Sequence, residues 1–315
     1  MPSKAALAAK AAADKQEKVE RAAFDDAYMQ KCADFARKKV DAMFSGTAIV
    51  EESEPQVQEL PRFCKGELAM GRVLGRGGFG TVNEIVNITV LSSSRALMPE
   101  DSPKQSVGGR QPSFLNDDDE ADYEDTQDKA FIAEHCLRAK TKDPRYAIKY
   151  LSEHVKKDPN MFTQACMDMA VETKFLAAID HPNIIRIRAI AGGDIFDKGY
   201  FLVLDRLYDT LEKRIGTWSK THKSLTGIKG KLGSKKKTEE KKQQLLEDRL
   251  VAGYDLIAAI AYLHEKRVIY RDLKPENVGF DVRDDIKLFG EFWRWYNGGR
   301  NRHVFCSFPN ITHCL

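Results

Sequence analysis

The glycine-rich segment GRGGFGTV, at Gly75–Val82, has a composition that could bind phosphate. Glycines let a backbone approach phosphate oxygens closely and turn its amide hydrogens toward them. Dinucleotide-binding folds share this spacing, but there a helix begins directly after the glycines. Here the residues that follow Gly80 favour a strand, among them Ile85 and Ile88. We therefore predict a β-hairpin that covers phosphate groups; a turn with a purely structural role is the alternative.

Lys149 ends the apolar segment YAIK at 146–149, which is typical of a strand. A lone lysine on a strand is usually solvated, but beside Ala147 and Ile148 it could point inward, toward phosphate oxygens. An ammonium group away from water needs a carboxylate partner, because an unpaired buried charge is costly. We predict that Glu172, on the next helix, is this partner; an exposed helical glutamate is the alternative.

The segment YRDLKPEN, at Tyr270–Asn277, combines a carboxylate, a lysine and an amide in one short loop. Asp272, Lys274 and Asn277 lie within six positions, and Pro275 stiffens the loop between them. Such a set can orient a hydroxyl group, neutralise phosphate charge and ligate a hard cation through oxygen. A plain surface loop is the alternative, which the order of the three segments along the chain disfavours.

Together these three segments resemble the signature of the eukaryotic protein kinases, over roughly residues 66–290. The resemblance implies an α+β, two-lobed fold: a β-rich small lobe at about 66–204, then an incomplete helical large lobe at about 208–290. It also implies transfer of the ATP γ-phosphate to a protein hydroxyl, with ATP and Mg²⁺ as cofactors. Lys274 is similar to the serine/threonine branch of the family.

The resemblance further implies roles for individual residues. Asp272 would be the catalytic base, Lys274 would contact the γ-phosphate, and Asn277 would bind magnesium. Lys149 would hold the α- and β-phosphates, and residues 205–207 would form the hinge beside adenine. The residues that the resemblance assigns to ATP binding are Leu74, Gly75, Gly77, Gly80, Val82, Ala147, Lys149, Glu172, Leu204, Asp205 and Leu207. The segment HPNI at 181–184 matches the family's usual turn, and Tyr270 stands where histidine is commoner.

The chain departs from the family at the metal site. The family has Asp-Phe-Gly about 13 positions after the loop asparagine, whereas this chain has Gly290, Glu291 and Phe292. The aspartate that holds the principal magnesium ion is therefore missing. Each ~1.36 kcal/mol is a factor of ten in rate, so we expect turnover to fall by about a thousandfold or more.

Residues 291–315 are expected to match nothing in the family. We consider three explanations: an out-of-frame or mis-spliced product of a kinase gene, a short pseudokinase acting as an ATP-binding or scaffold module, and replacement of the aspartate by Glu291.

A helix at 249–264 is apolar almost all round, which predicts a buried helix. Without later helices it would lose packing partners. Its apolar stripe comprises Leu250, Val251, Tyr254, Ile257, Ala258 and Ala261.

Hydropathy patterns predict the elements that position these residues. An N-terminal helical extension is predicted at 1–65, with an apolar stripe at Phe24, Tyr28, Cys32 and Phe35. Strands are predicted at 67–90, 144–151, 184–190 and 200–204, and a hairpin at 281–289. Helices are predicted at 158–179, capped by Asp158 with Pro159 in the first turn, and from about Thr210.

Two segments are predicted to be insertions in the kinase-like domain. Residues 92–142 carry the acidic run at 117–125 and are predicted to be mostly disordered; a docking surface for a basic partner is the alternative. Residues 217–243 are rich in lysine and are predicted to form a solvated loop; nuclear import or an acidic partner is the alternative.

Composition excludes several classes of protein. The 315 residues carry 50 Lys+Arg and 47 Asp+Glu, a net charge of +3 that disfavours a dedicated nucleic-acid binder. No apolar run reaches the roughly 18–20 residues of a membrane span, and no secretory signal core begins the chain. Six cysteines without metal-ligand spacing favour a reducing compartment, the cytoplasm or nucleus. The expected partners are ATP and a protein substrate, without a membrane; no oligomeric state is predicted.

Overall fold

The computed structural model describes residues 27–44, 56–91, 117–227 and 234–290, and only the backbone of 117–125. Its larger sheet has six strands in the order β1-β5-β6-β4-β3-β2. Neighbouring strands are antiparallel except β1 and β5, which are parallel. The six strands are β1 (Arg62–Phe63), β2 (Leu68–Arg76), β3 (Gly80–Ile88), β4 (Tyr146–Leu151), β5 (Ile187–Ala191) and β6 (Phe201–Asp205).

A second, antiparallel sheet has the order β7-β8-β9, and long helices accompany both sheets. Its strands are β7 (Leu207–Thr210), β8 (Val278–Asp281) and β9 (Ile286–Leu288). The long helices in the described ranges are α1 (27–44), α2 (Asp117–Glu134), α3 (Pro159–Ala178), α4 (Leu211–Thr226) and α5 (Lys235–Glu265). The predicted α+β class with two lobes is confirmed: β1–β6 and α3 form the small lobe, and α4, α5 and β7–β9 form the large one.

Local signals in the sequence locate the helix starts correctly. Asp158 caps α3, because its carboxylate accepts hydrogen bonds from the backbone N–H groups of Asn160 and Met161, both at 2.9 Å. Pro159 occupies the first turn. Thr210 caps α4 in the same way, through the N–H of Lys213 at 3.3 Å. Among the described helices, none has the length and hydropathy needed to cross a bilayer.

Helix α1 packs on the small lobe through a different face from the predicted one. Tyr28 and Phe35 are 47% and 51% exposed, and Phe24 lies outside the described residues. The buried face comprises Met29, Ala33, Ala36, Val40 and Phe44. This face is buried instead of the predicted one because its alanines let the helix approach closely, and because it alone continues for four turns at helical spacing.

The described half of segment 92–142 is ordered, so the prediction of disorder is wrong there. Residues 117–134 form α2, and the chain then reaches β4 through a bridge between Leu137 and Pro144. Lys129 is buried against Glu67, with 2.8 Å between Nζ and Oε1. Acidic residues favour the start of a helix, where the dipole is positive, and the later apolar residues anchor it. Residues 92–116 lie outside the described part.

The prediction of a loop at 217–243 is also wrong, because α4 continues to Thr226 and α5 begins at Lys235. Lysine and glutamate are good helix formers whose charged ends stay in water, so a solvated segment need not be a loop. Trp218 of α4 lies beneath Arg249 of α5, with 6.0 Å from the guanidinium carbon to the ring centroid. Residues 228–233 lie outside the described part.

Helix α5 is not buried all round, in contrast to the prediction. It packs against α4 and β9, and the residues that it buries are few: Leu245, Ala252, Ala259 and Leu263. Its opposite face is open, with exposures of 59–74% at Leu250, Val251, Tyr254 and Ile257. Burial therefore depends on which elements adjoin the helix, and hydropathy alone does not settle it.

Candidate active site

The glycine-rich segment forms the turn of the β2–β3 hairpin, as predicted. Gly75 pairs with Val82 across the two strands, and the N–H of Gly77 donates to the carbonyl oxygen of Gly80 at 2.8 Å. At Gly80 the reason for glycine is close approach: a Cβ there would lie 3.2 Å from the carbonyl oxygen of Tyr150. The hairpin excludes the dinucleotide-binding alternative, because a strand follows the glycines.

Lys149 and Glu172 form the predicted ion pair. Strand β4 carries Lys149, which lies in register with Val82 on one side and Leu202 on the other. Helix α3 carries Glu172, whose Oε2 accepts a hydrogen bond from the Lys149 ammonium. The two side chains are 15% and 16% exposed, so the pair is shielded from water yet open at one edge. A charged lysine is thereby held in a partly dry site, where it can bind an anion strongly.

The residues predicted to contact adenine lie on four consecutive strands of the larger sheet, β2, β3, β4 and β6. Leu74 lies on β2 and Val82 on β3. Ala147 and Leu204 are buried register partners in β4 and β6. The predicted hinge connects the two sheets: β6 ends at Asp205 and β7 begins at Leu207.

The loop after α5 brings Asp272, Lys274 and Asn277 together. Lys274 Nζ is 2.6 Å from Asp272 Oδ2. Asn277 Nδ2 donates to the same oxygen at 2.8 Å and to the Asp272 carbonyl oxygen at 2.9 Å. The Asp272 side chain is 44% exposed, so its carboxylate is fixed on one side and accessible on the other. An oriented, accessible carboxylate is the group needed to accept a proton from a hydroxyl.

Gly290 stands at the position of the family's metal-binding aspartate. Its φ of +108° lies in the region that favours glycine, and a Cβ there would be 3.0 Å from Asn277 Cγ. No cluster of three or more His, Cys, Asp or Glu residues suited to a metal ion occurs in the described part of the chain. Magnesium is usually held by one or two carboxylates together with phosphates. Asn277 and an Asp272 already paired with Lys274 therefore fit a magnesium ion poorly.

The HPNI turn after α3 holds the small lobe on the large one. The N–H of Leu288 donates to the Asn183 carbonyl oxygen at 2.7 Å, and the N–H of Ile185 donates to the Leu288 carbonyl oxygen at 2.9 Å. Within the large lobe, the Tyr270 hydroxyl donates to the carbonyl oxygen of Phe289, just after β9, at 2.8 Å. The helix with Glu172 and the strand that leads to Gly290 are thus fixed to each other. Burial and the nearby Lys287 charge lower the pKa of His181 in this turn.

The sequence reasoning missed one ion pair at the site, because it included Arg206 in the hinge but gave no role to its side chain or to Glu84. Arg206 Nη2 lies 3.0 Å from Glu84 Oε2, which joins the hinge to β3. One signal was available: Glu84 follows Val82 by two positions, so both side chains point to the same face of β3. A carboxylate on that face needs a cation, and the hinge supplies it.

The Protein kinase domain family matches residues 133–306, more than half of the chain. This chain belongs to the protein kinase family. The match begins after the glycine hairpin, which nevertheless joins the kinase sheet through the pairing of β3 with β4. The match ends at residue 306, whereas we expected the kinase-like domain to end at residue 290.

The kinase domain is similar to several curated proteins. It is 28% identical over 136 residues to an Aurora kinase of Encephalitozoon cuniculi, which covers 43% of this chain and 41% of that protein. It is 28% identical over 167 residues to a carbon catabolite-derepressing protein kinase of Secale cereale, covering 51% and 26%. It is 26% identical over 210 residues to an interferon-induced, double-stranded RNA-activated protein kinase of Rattus norvegicus, covering 62% and 36%. The chain spans less than half the length of each of these relatives.

Proposed function

We propose that this chain binds ATP between its two lobes and transfers the γ-phosphate to a serine or threonine hydroxyl of a protein. One observation supports the proposal: an ion pair and a charged cluster, of the kind that phosphoryl transfer requires, lie one on each side of the hinge. The Lys149–Glu172 pair belongs to the small lobe, and the Asp272–Lys274–Asn277 cluster belongs to the large lobe. Positioning and charge stabilisation are most of what phosphoryl transfer requires from a protein.

The binding half of the mechanism uses the small lobe and the hinge. Adenine would lie between Leu74, Val82 and Ala147, with Leu204 behind it and the backbone of residues 205–207 at its edge. The hairpin of Gly75, Gly77 and Gly80 would cover the phosphates. Glu172 would hold the Lys149 ammonium toward the α- and β-phosphates.

The transfer half uses the loop after α5. The substrate oxygen attacks the γ-phosphorus while Asp272 accepts the hydroxyl proton, and the bond to the ADP oxygen breaks. Lys274 stabilises the negative charge on the phosphoryl oxygens. We assign no step to magnesium, because position 290 is glycine and Asn277 has no aspartate beside it with which to hold the ion. Turnover about a thousandfold or more below that of a complete site is the expected consequence.

Gly290 favours a second candidate function, a non-catalytic module that binds ATP or a partner protein. The Asn277 side chain fills the space in which a Cβ at position 290 would lie, so an aspartate at 290 requires local rearrangement.

For either function we propose the cytoplasm or nucleus as the compartment, since Cys32, Cys64, Cys136 and Cys166 are free thiols.

A phosphotransfer assay with a generic basic protein substrate separates the two functions. We expect slow transfer by the unmodified chain and loss of that transfer in Asp272→Ala, with ATP affinity retained. Glu265→Ala removes an exposed carboxylate at the end of α5 and serves as the matched control, with unchanged transfer. Equal background from the unmodified chain and Asp272→Ala would favour the non-catalytic module.

A further inference from the structure

Glu84 is the centre of a polar network that joins β2, β3 and the hinge. Its Oε1 accepts a hydrogen bond from the backbone N–H of Arg72 at 3.2 Å. Its Oε2 lies 3.3 Å from Arg72 Nε and 3.0 Å from Arg206 Nη2. The Glu84 side chain is 12% exposed, so these donors replace most of the water that an ionised carboxylate needs.

The β2 strand is shaped to admit the Glu84 carboxylate. The pairing of β2 with β3 shifts register between Met70 and Val73, where Gly71 lies. A Cβ on Gly71 would be 2.7 Å from Glu84 Cγ and 2.8 Å from Glu84 Oε1, closer than real Cβ atoms approach. Glycine at this position therefore leaves the space that the carboxylate occupies.

Arg206 is the single residue between the two sheets, and its side chain is only 3% exposed. Nη1 donates to the Tyr208 hydroxyl at 3.0 Å, and the guanidinium carbon lies 4.1 Å from the centre of that ring. The Tyr208 hydroxyl in turn donates to the carbonyl oxygen of Pro144, just before β4. Arg206 Nε is buried without a hydrogen-bond partner in the described structure, which costs stability. Stability alone therefore does not account for a buried arginine here.

The network borders the proposed adenine site on two sides. Glu84 is in register with Ala147 and projects from the same face of β3 as Val82. Arg206 lies between Asp205 and Leu207, the two ends of the hinge. The Glu84–Arg206 ion pair thus connects β3, which would lie above adenine, to the hinge backbone, which would lie at the edge of adenine.

We infer that the Glu84–Arg206 ion pair sets the separation between the hinge and the glycine hairpin, and so fixes the slot that recognises adenine. Both are positioning residues, because they act through the backbone and through Val82. This inference rests on the proposed binding of ATP. Its consequence is selective: loss of the pair weakens recognition of the base but leaves the phosphate-binding groups, Lys149 and Glu172, in place.

The test compares two probes by calorimetry on the full chain, ATP and inorganic tripolyphosphate. For Arg206→Met we expect ATP affinity to fall about tenfold or more and tripolyphosphate affinity to change less than twofold. Lys129→Met is the matched control, since it removes another buried ion pair, with Glu67, whose residues lie outside the hinge. We expect Lys129→Met to lower the melting temperature without changing the ratio of the two affinities.

Each outcome distinguishes the inference from the proposed function. Equal losses for both probes, or no loss for either, would overturn the positioning role. Absence of ATP binding by the unmodified chain would overturn the proposed function itself, and the inference with it. Arg206→Lys keeps the charge and should recover part of the ATP affinity. Glu84→Gln, which removes the charge from the other side, gives a second measurement if Arg206→Met does not fold.

Discussion

Gly71 illustrates how single residues determine whether the site can form. No positive φ explains this glycine, since Gly290 is the glycine with that conformation among the described residues. The explanation is space, because Glu84 and Val86 fill the volume that a side chain would need. A residue that looks like a strand breaker in the sequence is therefore required by a side chain thirteen positions later.

Gly71→Ala should destabilise the small lobe. Its Cβ would lie 2.6 Å from Val86 Cγ1 and 2.7 Å from Glu84 Cγ, so both side chains must move. We expect a loss of about 1–3 kcal/mol in the free energy of unfolding, measured by urea denaturation. Gly66→Ala is the control, because nothing lies within 4 Å of its Cβ position. Equal stability of the two variants would show that Gly71 is not needed for space.

At the scale of residues, the sequence predicts an ion pair when a charged residue stands in an apolar segment and an oppositely charged residue lies on the next element. Lys149 sits in an apolar strand, so it requires an acid, and the next helix offers Glu172. Arg206 follows the apolar run of β6 and gives no such indication, because its partner Glu84 is 122 positions earlier. Only the pairing of β3, β4 and β6 brings the two together.

At the scale of elements, helix α1 supports the back of α3, the helix that carries Glu172. Arg37 Nη2 is 2.7 Å from Asp194 Oδ2, and its guanidinium carbon lies 4.8 Å from the centre of the Phe196 ring. Burial opposes ionisation of Asp194, but the hydrogen bonds from Arg37 and from the backbone N–H of Phe196, together with the Arg37 charge, outweigh it and lower the pKa of that carboxyl. Cys166 of α3 lies beneath this contact, since its thiol donates to the carbonyl oxygen of Phe196 at 3.6 Å.

Ala36→Glu should detach α1, because it places a carboxylate at a position that is 0% exposed. Burial raises the pKa of Cys166 to about 12, so this thiol should resist alkylation at pH 8 in the unmodified chain. We expect Ala36→Glu to make Cys166 reactive, at least tenfold faster, as measured by site-resolved mass spectrometry. Lys38→Glu changes an exposed residue of the same helix and should leave Cys166 protected. Protection of Cys166 in Ala36→Glu would contradict docking of α1 over this site.

Elements with local signals were predictable, and their buried faces were not. The cap at Asp158, the proline after it and the alternation of β2 and β3 all act within a few residues. The faces of α1 and α5 depend on which neighbours are present. For α1, Tyr28 and Phe35 lie on the exposed side, whereas Ala33 and Ala36 lie in the contact.

At the scale of the whole molecule, Arg206 joins the two sheets, and each lobe carries one of the charged groups of the proposed site. We propose that Lys149, in the small lobe, binds the phosphates and that Asp272, in the large lobe, accepts the proton of the substrate hydroxyl. The HPNI turn and β9 keep the two lobes in contact, as shown by the backbone bonds between Asn183, Ile185 and Leu288. Family membership and lobe order followed from three short motifs, whereas the orientation of the lobes depends on contacts that no motif contains.

Titration calorimetry of the full chain with ATP tests the central claim most directly. If one nucleotide lies between the lobes, the chain should bind one equivalent, and Lys149→Met should lose about tenfold or more in affinity because the phosphates lose their cation. Lys140→Met, an exposed lysine of the same lobe, should bind like the unmodified chain. A well-folded chain that shows no binding, or equal affinity in Lys149→Met, would contradict the account.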